Sequence, residues 1–247
     1  VKKLARSGCE SVRVSLDGGK DVHDSIRREG PLSRALFGIR LLKNHGIPVS
    51  ASFTAGKNNF MELCTVADVA FKAGSASFAT ERVIPTGGLP DTDSLMNDDE
   101  IIEYFEMLNI CRKKLQKKLF SKGEVSMGGA LQFLFYDGEG PDKCPYRCRA
   151  GSTVLAVLAD GRIVPCRRMP VIIGDLKTDD LYDIYNNSVF LKMLRNPAAI
   201  PSGCEACSNS STCSGGLKCL SYAVHGNPFM RDPQCTDAVL NKGKIQI

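Results

Sequence analysis

Five cysteines between Cys204 and Cys235, in the run CEACSNSSTCSGGLKCLSYAVHGNPFMRDPQC, set the terms on which this chain can fold. Their spacing is C-x2-C-x5-C-x5-C-x15-C. Thiols so dense in one loop-rich segment do not pack as an ordinary core. A C-x-x-C turn aims two sulfurs at a common centre, the intervening Ser and Asn residues let the backbone wrap it, and Gly215-Gly216 permit close approach. Cys144, Cys148 and Cys166 add three sulfurs upstream, so eight of the eleven cysteines fall between Cys144 and Cys235. Eight makes two sets of four.

Three chemistries use such sets. Disulfides need an oxidising compartment, yet the sequence shows no secretory-signal pattern, and 26.8 kDa with 43% hydrophobic residues suffices for a core without covalent staples. Structural zinc takes thiolates in fours, and so do iron-sulfur clusters. Thiolate count alone does not separate the two.

Composition narrows the partners. Charged residues at 24% are ordinary for a soluble globular protein. No run of ~18 apolar residues could span a bilayer, and a cytoplasmic location is expected. The formal charge of +5 invites a nucleic-acid reading, but the basic residues are scattered apart from Arg112 to Lys122. That cluster lies toward the end of a long helix, where the macrodipole favours positive charge. Neither nucleic acid nor membrane is expected as a partner.

The first half alternates helix and strand. Residues 1 to 7 read as helix turns with Val1, Leu4 and Ala5 on the apolar side and Gly8 as the stop. The chain thus begins inside a helix. Ser11 to Asp17 reads as a strand that sends Val12, Val14 and Leu16 one way and Arg13, Ser15 and Asp17 the other. In a parallel sheet a polar inner face is costly unless something polar binds there, which makes that face a candidate site. Leu32, Ala35, Leu36, Ile39 and Leu42 mark a helix stopped by Gly46, Ile47 to Phe53 a second strand, and Asn58 or Asn59 the cap of a helix ending at Gly74. Ser77 to Ile84 is a third strand, and Asp98 or Asp99 opens a helix to about Phe120 with Ile101, Tyr104, Phe105, Leu108, Cys111, Leu115 and Leu119 as its apolar stripe. Such alternation predicts parallel strands with ligands at their carboxyl ends. Cys9, Cys64 and Cys111 read as packing residues.

From about residue 123 the chain becomes Gly-rich and cysteine-rich. Thr153 to Ala159 and Arg162 to Cys166 flank an Asp160-Gly161 turn, the signature of a β-hairpin, and Leu181 to Leu194 is helical. Two domains are expected, residues 1–122 and 123–247.

Several of these segments together resemble a known family. Cys148-x-Ala-Gly, Asp160-Gly-Arg-Ile-Val-Pro-Cys166, Gly174-Asp-Leu, Leu181-x-Asp-Ile, Cys204-x2-Cys207-x5-Cys213 and Asp232-Pro-x-Cys235 are similar to the SPASM domain of radical SAM enzymes. Val14-Ser-Leu-Asp-Gly18, His23-Asp24-x-x-Arg27 and Arg82-Val-Ile-Pro-Thr-Gly87 are similar to later strands of the radical SAM barrel. The resemblance implies an α/β fold: a partial (β/α) barrel of about three units followed by a small cysteine-rich α+β SPASM domain. Two departures stand out. The C-x3-C-x2-C motif that holds the SAM-binding cluster is absent from the sequence, and Leu217 stands where the family usually has a cysteine, with Cys219 two residues later. The expectation is that the first part of the barrel is missing, so that the chain alone is inactive.

Carried over residue by residue, the resemblance implies two auxiliary 4Fe-4S clusters. One is held by Cys148, Cys166, Cys219 and Cys144, the last of these either a ligand or an iron left open for a substrate thiol or amide. The other is held by Cys204, Cys207, Cys213 and Cys235. It implies S-adenosyl-L-methionine (SAM) against Ser15, Asp17, Thr54, Ile84 and Gly87, a low-potential electron donor, and a peptide or protein substrate modified after hydrogen abstraction. A non-catalytic iron-sulfur electron-transfer or peptide-binding module, or a zinc-binding structural domain, remains the alternative.

Overall fold

β-branched and aromatic runs set between helices lay down a parallel sheet. The computed structural model describes residues 1–27, 31–86, 92–118, 124–126, 129–135 and 147–245. In chain order come α1 (Lys2–Arg6), β1 (Val12–Ser15), α2 (Lys20–Arg27), α3 (Leu32–Asn44), β2 (Val49–Ala55), α4 (Leu63–Ala73), β3 (Ser77–Arg82), α5 (Asp98–Lys118) and β4 (Glu124–Ser126). The four strands lie in the order β1-β2-β3-β4, all parallel, in registers that set Ser15 beside Ser52 and Phe53 beside Thr80.

The sheet has two unlike faces. On β2, Val49, Ala51, Phe53 and Ala55 are buried while Ser50, Ser52 and Thr54 face the more open side, the alternation expected from a period of two. The apolar face lies under α3, α4 and α5, which pack in succession. Phe53 and Phe78 meet there with ring centroids 6.4 Å apart, and Phe105 stacks on Phe135 at 4.9 Å.

Local chemistry explains where these elements begin and end, and corrects some expectations. The cap of α5 is Asn97: its side chain accepts the Glu100 N–H at 3.0 Å and Glu100 accepts the Asn97 N–H at 2.8 Å, a reciprocal capping box. Gly74 ends α4 with φ of +109°, as expected of a left-handed stop. Asn59 does not cap a helix; a single 3-10 turn over Phe60–Glu62 precedes α4, and the Asn59 side chain is spent elsewhere, as described below. No residue of α1 is buried, so the apolar side predicted for Val1, Leu4 and Ala5 has no cover among the described residues.

Eight further elements follow among the described residues from Ala156 onward. β5 (Ala156–Val157), β6 (Arg162–Val164) and β7 (Gly174–Asp175) form an antiparallel sheet, in which the Asp160-Gly161 turn joins the first two as expected. The third strand was not anticipated, because two residues carry no periodicity. Gly174 permits it: a Cβ there would collide with the Ile184 side chain. The helix expected over Leu181 to Leu194 is two, α6 (Leu181–Asn187) and α7 (Val189–Arg195), because Ser188 leaves the helical region and caps the second by accepting the Leu191 N–H. α8 (Ser210–Cys213), α9 (Lys218–His225) and α10 (Asp237–Ile245) complete the chain.

By contacts the chain forms two compact units, Val1–Val83 with Asp93–Lys143 and Ala238–Ile247, and Ile84–Thr92 with Cys144–Asp237. The α10 segment therefore belongs with the first unit, where a Cβ on Gly243 would meet Leu134 at 2.9 Å.

Truncating Phe53 to Ala empties the centre of the sheet–helix layer, since its side chain is fully enclosed. The expected loss is about 3–5 kcal/mol, read as a lower urea midpoint with the far-UV circular dichroism of the folded chain retained.

Candidate iron-sulfur centre and the sheet's carboxyl edge

At the carboxyl end of β1 the polar residues are largely bound to one another. Asp17 is 2% exposed. Its Oδ2 accepts the Arg27 Nε–H at 2.6 Å and pairs with the other guanidinium nitrogen, and its Oδ1 accepts the Thr54 N–H at 3.2 Å. The Asp17 N–H goes to His23 Nδ1 at 3.1 Å, so His23 braces this loop. Asn59 donates to the carbonyls of Asp17 (2.8 Å) and Thr54 (2.9 Å) and accepts the Gly56 N–H at 2.7 Å. Glu62 accepts the Gly19 N–H.

Of the residues predicted to meet SAM, Asp17 thus has its carboxylate engaged inside the protein. Ser15 lies on the polar face with its hydroxyl 3.4 Å from that of Ser52, and the Thr54 side chain is exposed. Ile84 belongs to the second compact unit, with the Thr86 hydroxyl 3.5 Å from its carbonyl, and Gly87 lies outside the described residues. Sequence reasoning missed Asn59 as the tie between the first two strand ends. An Asn before a helix reads as a cap, and its burial is invisible in the sequence.

Removing the Asp17 side chain in Asp17→Ala leaves the Thr54 N–H and Arg27 without their acceptor. Arg27 is partly exposed and water can take it up, so the expected destabilisation is about 1–3 kcal/mol, measured by thermal or urea unfolding.

The cysteine-rich unit gathers its thiols through turns. All ten described cysteines are free thiols, and Cys144 lies outside the described residues. Around Cys204 and Cys207 the backbone makes successive tight turns, with the Cys204 N–H on Pro201 O and the Cys207 N–H on Cys204 O. Cys213 closes α8 and is followed by Ser214, Gly215 and Gly216 at φ of 54°, 83° and 78°. That left-handed run points the Gly215 and Gly216 N–H groups at the Cys213 sulfur. Larger residues would not fit: a Cβ on Gly215 would lie 2.7 Å from Pro201 and one on Gly216 2.7 Å from Asp232.

Asp232 ties the two ends of this cradle together. It is 1% exposed, accepts the Leu217 N–H (3.0 Å) and the Gln234 N–H (3.0 Å), and donates its own N–H to Gly215 O, while its carbonyl accepts the Cys235 N–H.

Electrostatics show which thiols sense each other. Burial, and then the charges of Cys207 and Cys213, push the Cys204 thiol up to about 11. Burial, followed by Asp232 and Cys213, pushes Cys235 up to about 12. Cys213 is raised by burial against the lowering effect of the glycine N–H groups. Cys204 thus feels Cys207 and Cys213, Cys213 feels Cys207, and Cys235 feels Cys213 and Cys204. A second relation joins Cys148 to Cys166: burial raises the Cys148 thiol, the Ala150 and Lys218 N–H groups bond its sulfur, and Cys166 adds its charge. Cys219, buried in the first turn of α9, follows Lys218 directly.

Sequence reasoning passed over Lys218 altogether. The residue is buried, and its ammonium donates to Ser214 O at 3.3 Å and lies 5.7 Å from the Phe229 ring centroid. Burial lowers its pKa, while Cys148, Cys204 and Cys213 all favour its charged form. One cation thus reaches both thiol groups.

Among the described residues no three His, Cys, Asp or Glu side chains are close enough to hold a single metal ion. Thiolates on the separate corners of an iron-sulfur cubane stand farther apart than four ligands of one ion. The donor set itself, clustered free thiols with backbone N–H groups aimed at sulfur, suits an iron-sulfur cluster.

The comparisons with known proteins agree with that chemistry. Residues 148–208 match SPASM, an iron-sulfur cluster-binding domain. The chain is 24% identical over 247 residues to an AdoMet-dependent heme synthase of Methanosarcina barkeri, covering 95% of this chain and 70% of that protein. It is 24% identical over 194 residues to the sporulation killing factor maturation protein SkfB of Bacillus subtilis, covering 78% of this chain and 44% of that protein. The fold is like that of Streptococcus suis SuiB bound to S-adenosylmethionine, with a TM-score of 0.66 at 15% identity over 91% of this chain and 53% of that one. SuiB was also solved bound to its precursor peptide SuiA, and the likeness there has a TM-score of 0.66 at 14% identity, over 92% of this chain and 52% of that one. The chain therefore spans about half the length of SuiB. An iron-sulfur domain joined to a parallel α/β sheet is the class that fold and site define. Within it, the chain is similar to radical SAM enzymes that carry a SPASM domain.

Thiols held neutral by burial are poor nucleophiles. In the metal-free folded chain Cys204 and Cys235 are expected to resist iodoacetamide at pH 8, and to react only as the pH rises toward 11 and 12, where each ionises. In urea both should react at pH 8; peptide mapping by mass spectrometry reads the labels.

Proposed function

We propose that these 247 residues belong to a radical SAM enzyme that modifies a peptide or protein by hydrogen abstraction. The observation that carries this reading is the set of mutually influencing thiols, with backbone N–H groups on the Cys148 and Cys213 sulfurs, lying in and beyond a segment that matches the SPASM domain. The N-terminal unit is read as part of a (β/α) barrel of about three units, in keeping with its parallel strands. A peptide substrate is supported by the names of relatives, a killing-factor maturation protein and an enzyme solved with its precursor peptide.

In this reading Cys204, Cys207, Cys213 and Cys235 hold one 4Fe-4S cluster, and Cys148, Cys166 and Cys219 hold a second with Cys144 as ligand or open position. Such clusters, when bound, supply one-electron transfer at low potential, and SAM supplies the group that takes the substrate hydrogen. The residues of this chain prepare the pockets. Gly215 and Gly216 N–H groups and the Lys218 ammonium offset the negative charge that gathers on the thiolates, and Asp232 fixes the distance between Cys213 and Cys235 along the backbone. Ser15 and Thr54 present the side chains available to SAM on the polar face of the sheet, with Asp17 holding their strand ends in place. A low-potential electron donor completes the reaction. No described helix is long and apolar enough to cross a membrane, and we place the enzyme in the cytoplasm.

Anaerobic reconstitution with iron and sulfide is the direct test. The reading expects ~8 irons and ~8 sulfides per chain and a broad band near ~400 nm, with Cys235→Ala losing about half of the iron. A colourless chain carrying stoichiometric zinc would overturn it. With dithionite and SAM, the reconstituted 247-residue chain is expected to release no 5'-deoxyadenosine above the protein-free control, because its sequence has no C-x3-C-x2-C.

A further inference from the structure

Two cysteines stand apart from the cluster unit and face each other across a helix pair. Cys64 lies in the first turn of α4, half-buried, with its Sγ 3.8 Å from the Met107 carbonyl of α5. Cys111 is one turn further along α5 than Met107 and is 1% exposed. The two thiols are hydrogen-bonded to each other. α4 and α5 pack directly together, so neither sulfur has to cross solvent to reach the other.

We propose that Cys64 and Cys111 form an oxidant-reactive thiol pair, which a peroxide converts to a disulfide joining α4 to α5. Cys64 is the sulfur oxidised first, because it is the more accessible of the two. The hydrogen bond from Cys111 lowers the Cys64 thiol and the nearby Lys114 ammonium lowers it further, against burial. The same bond, burial and the Cys64 charge raise Cys111, so Cys111 keeps its proton until its partner has reacted. Asp68 also faces Cys111 and Lys114 tempers both.

The chemistry balances with hydrogen peroxide as oxidant. The Cys64 thiolate attacks one peroxide oxygen, the O–O bond breaks, and a sulfenic acid forms as hydroxide leaves and is protonated to water. Cys111 then gives up its proton and attacks the sulfenic sulfur; the S–S bond forms, the S–O bond breaks, and a second water leaves. Two electrons pass from the two sulfurs to one peroxide. The pair is independent of the cluster reading and stands or falls without it.

The test uses the full chain purified under argon, treated with limiting hydrogen peroxide, capped with N-ethylmaleimide and digested with trypsin. Cys64 and Cys111 fall on separate tryptic peptides, residues 58–72 and 83–112, each with no other cysteine. A disulfide-linked pair of these two peptides is expected, in about tenfold excess over any other pairing of Cys64. Cys64→Ser should abolish it and leave Cys111 reduced, while Cys111→Ser should leave a sulfenic acid on Cys64 that dimedone traps. Recovery of both peptides capped as free thiols, at a peroxide dose that oxidises Cys9, would overturn the proposal. So would linkage of Cys64 to a different cysteine. The wild-type map alone decides between these outcomes, so the result does not depend on either variant folding.

Discussion

Gathering thiolates inside a protein is electrostatically uphill, and the cysteine-rich unit is built around that cost. Each buried sulfur loses solvation when it ionises, and each neighbour that ionises makes the next harder. The thiols of Cys204 and Cys235 are pushed up for these two reasons, and Asp232 beside Cys213 and Cys235 adds to the burden. The compensation comes from groups that carry positive charge or partial charge: the glycine N–H groups at Cys213, the N–H groups of Ala150 and Lys218 at Cys148, and the Lys218 ammonium. A cation supplied from outside completes what these leave undone, which is why such a thiol set calls for metal rather than for stored protons.

Buried aspartates organise both units, yet in opposite senses. Asp17 and Asp232 are each almost wholly enclosed and each accepts backbone N–H groups from a different stretch of chain. Asp17 is matched by a guanidinium, so its charge is balanced where it sits. Asp232 lies near thiols, and its charge is felt by them. The first stiffens a sheet edge, and the second fixes a loop at the expense of raising the sulfurs it positions.

The thiol spacing was legible because chemistry that needs sulfur at defined intervals writes itself into the sequence. So were the parallel strands, the glycine stop at Gly74 and the hairpin at Asp160-Gly161, each of which rests on local conformational preference. What was not legible depends on partners distant in sequence. Asp17 reads as a free carboxylate on a polar face until Arg27 and the Thr54 N–H are brought to it. Asn59 reads as a cap until its amide is found between two strand ends. Lys218 carries no signal of its own until its ammonium is found among the thiols. The break at Ser188 is a near miss of a different kind: the apolar pattern runs through both helices, and only the capping bond to the Leu191 N–H ends one and starts the other.

The interleaving of the two thiol groups along the chain has a physical consequence. Under the proposed ligand assignment Cys219 belongs with Cys148 and Cys166 yet lies between Cys213 and Cys235, so one set is threaded through the other. Lys218 makes the link material: its N–H bonds the Cys148 sulfur, while its ammonium is felt by Cys204 and Cys213. Loosening the turn at Gly215-Gly216 would move the start of α9, and with it the donor to Cys148. The pockets therefore cannot be formed one at a time by independent segments. Ordering either one fixes backbone that the other needs, and the entropy cost of the shared stretch is met once for both.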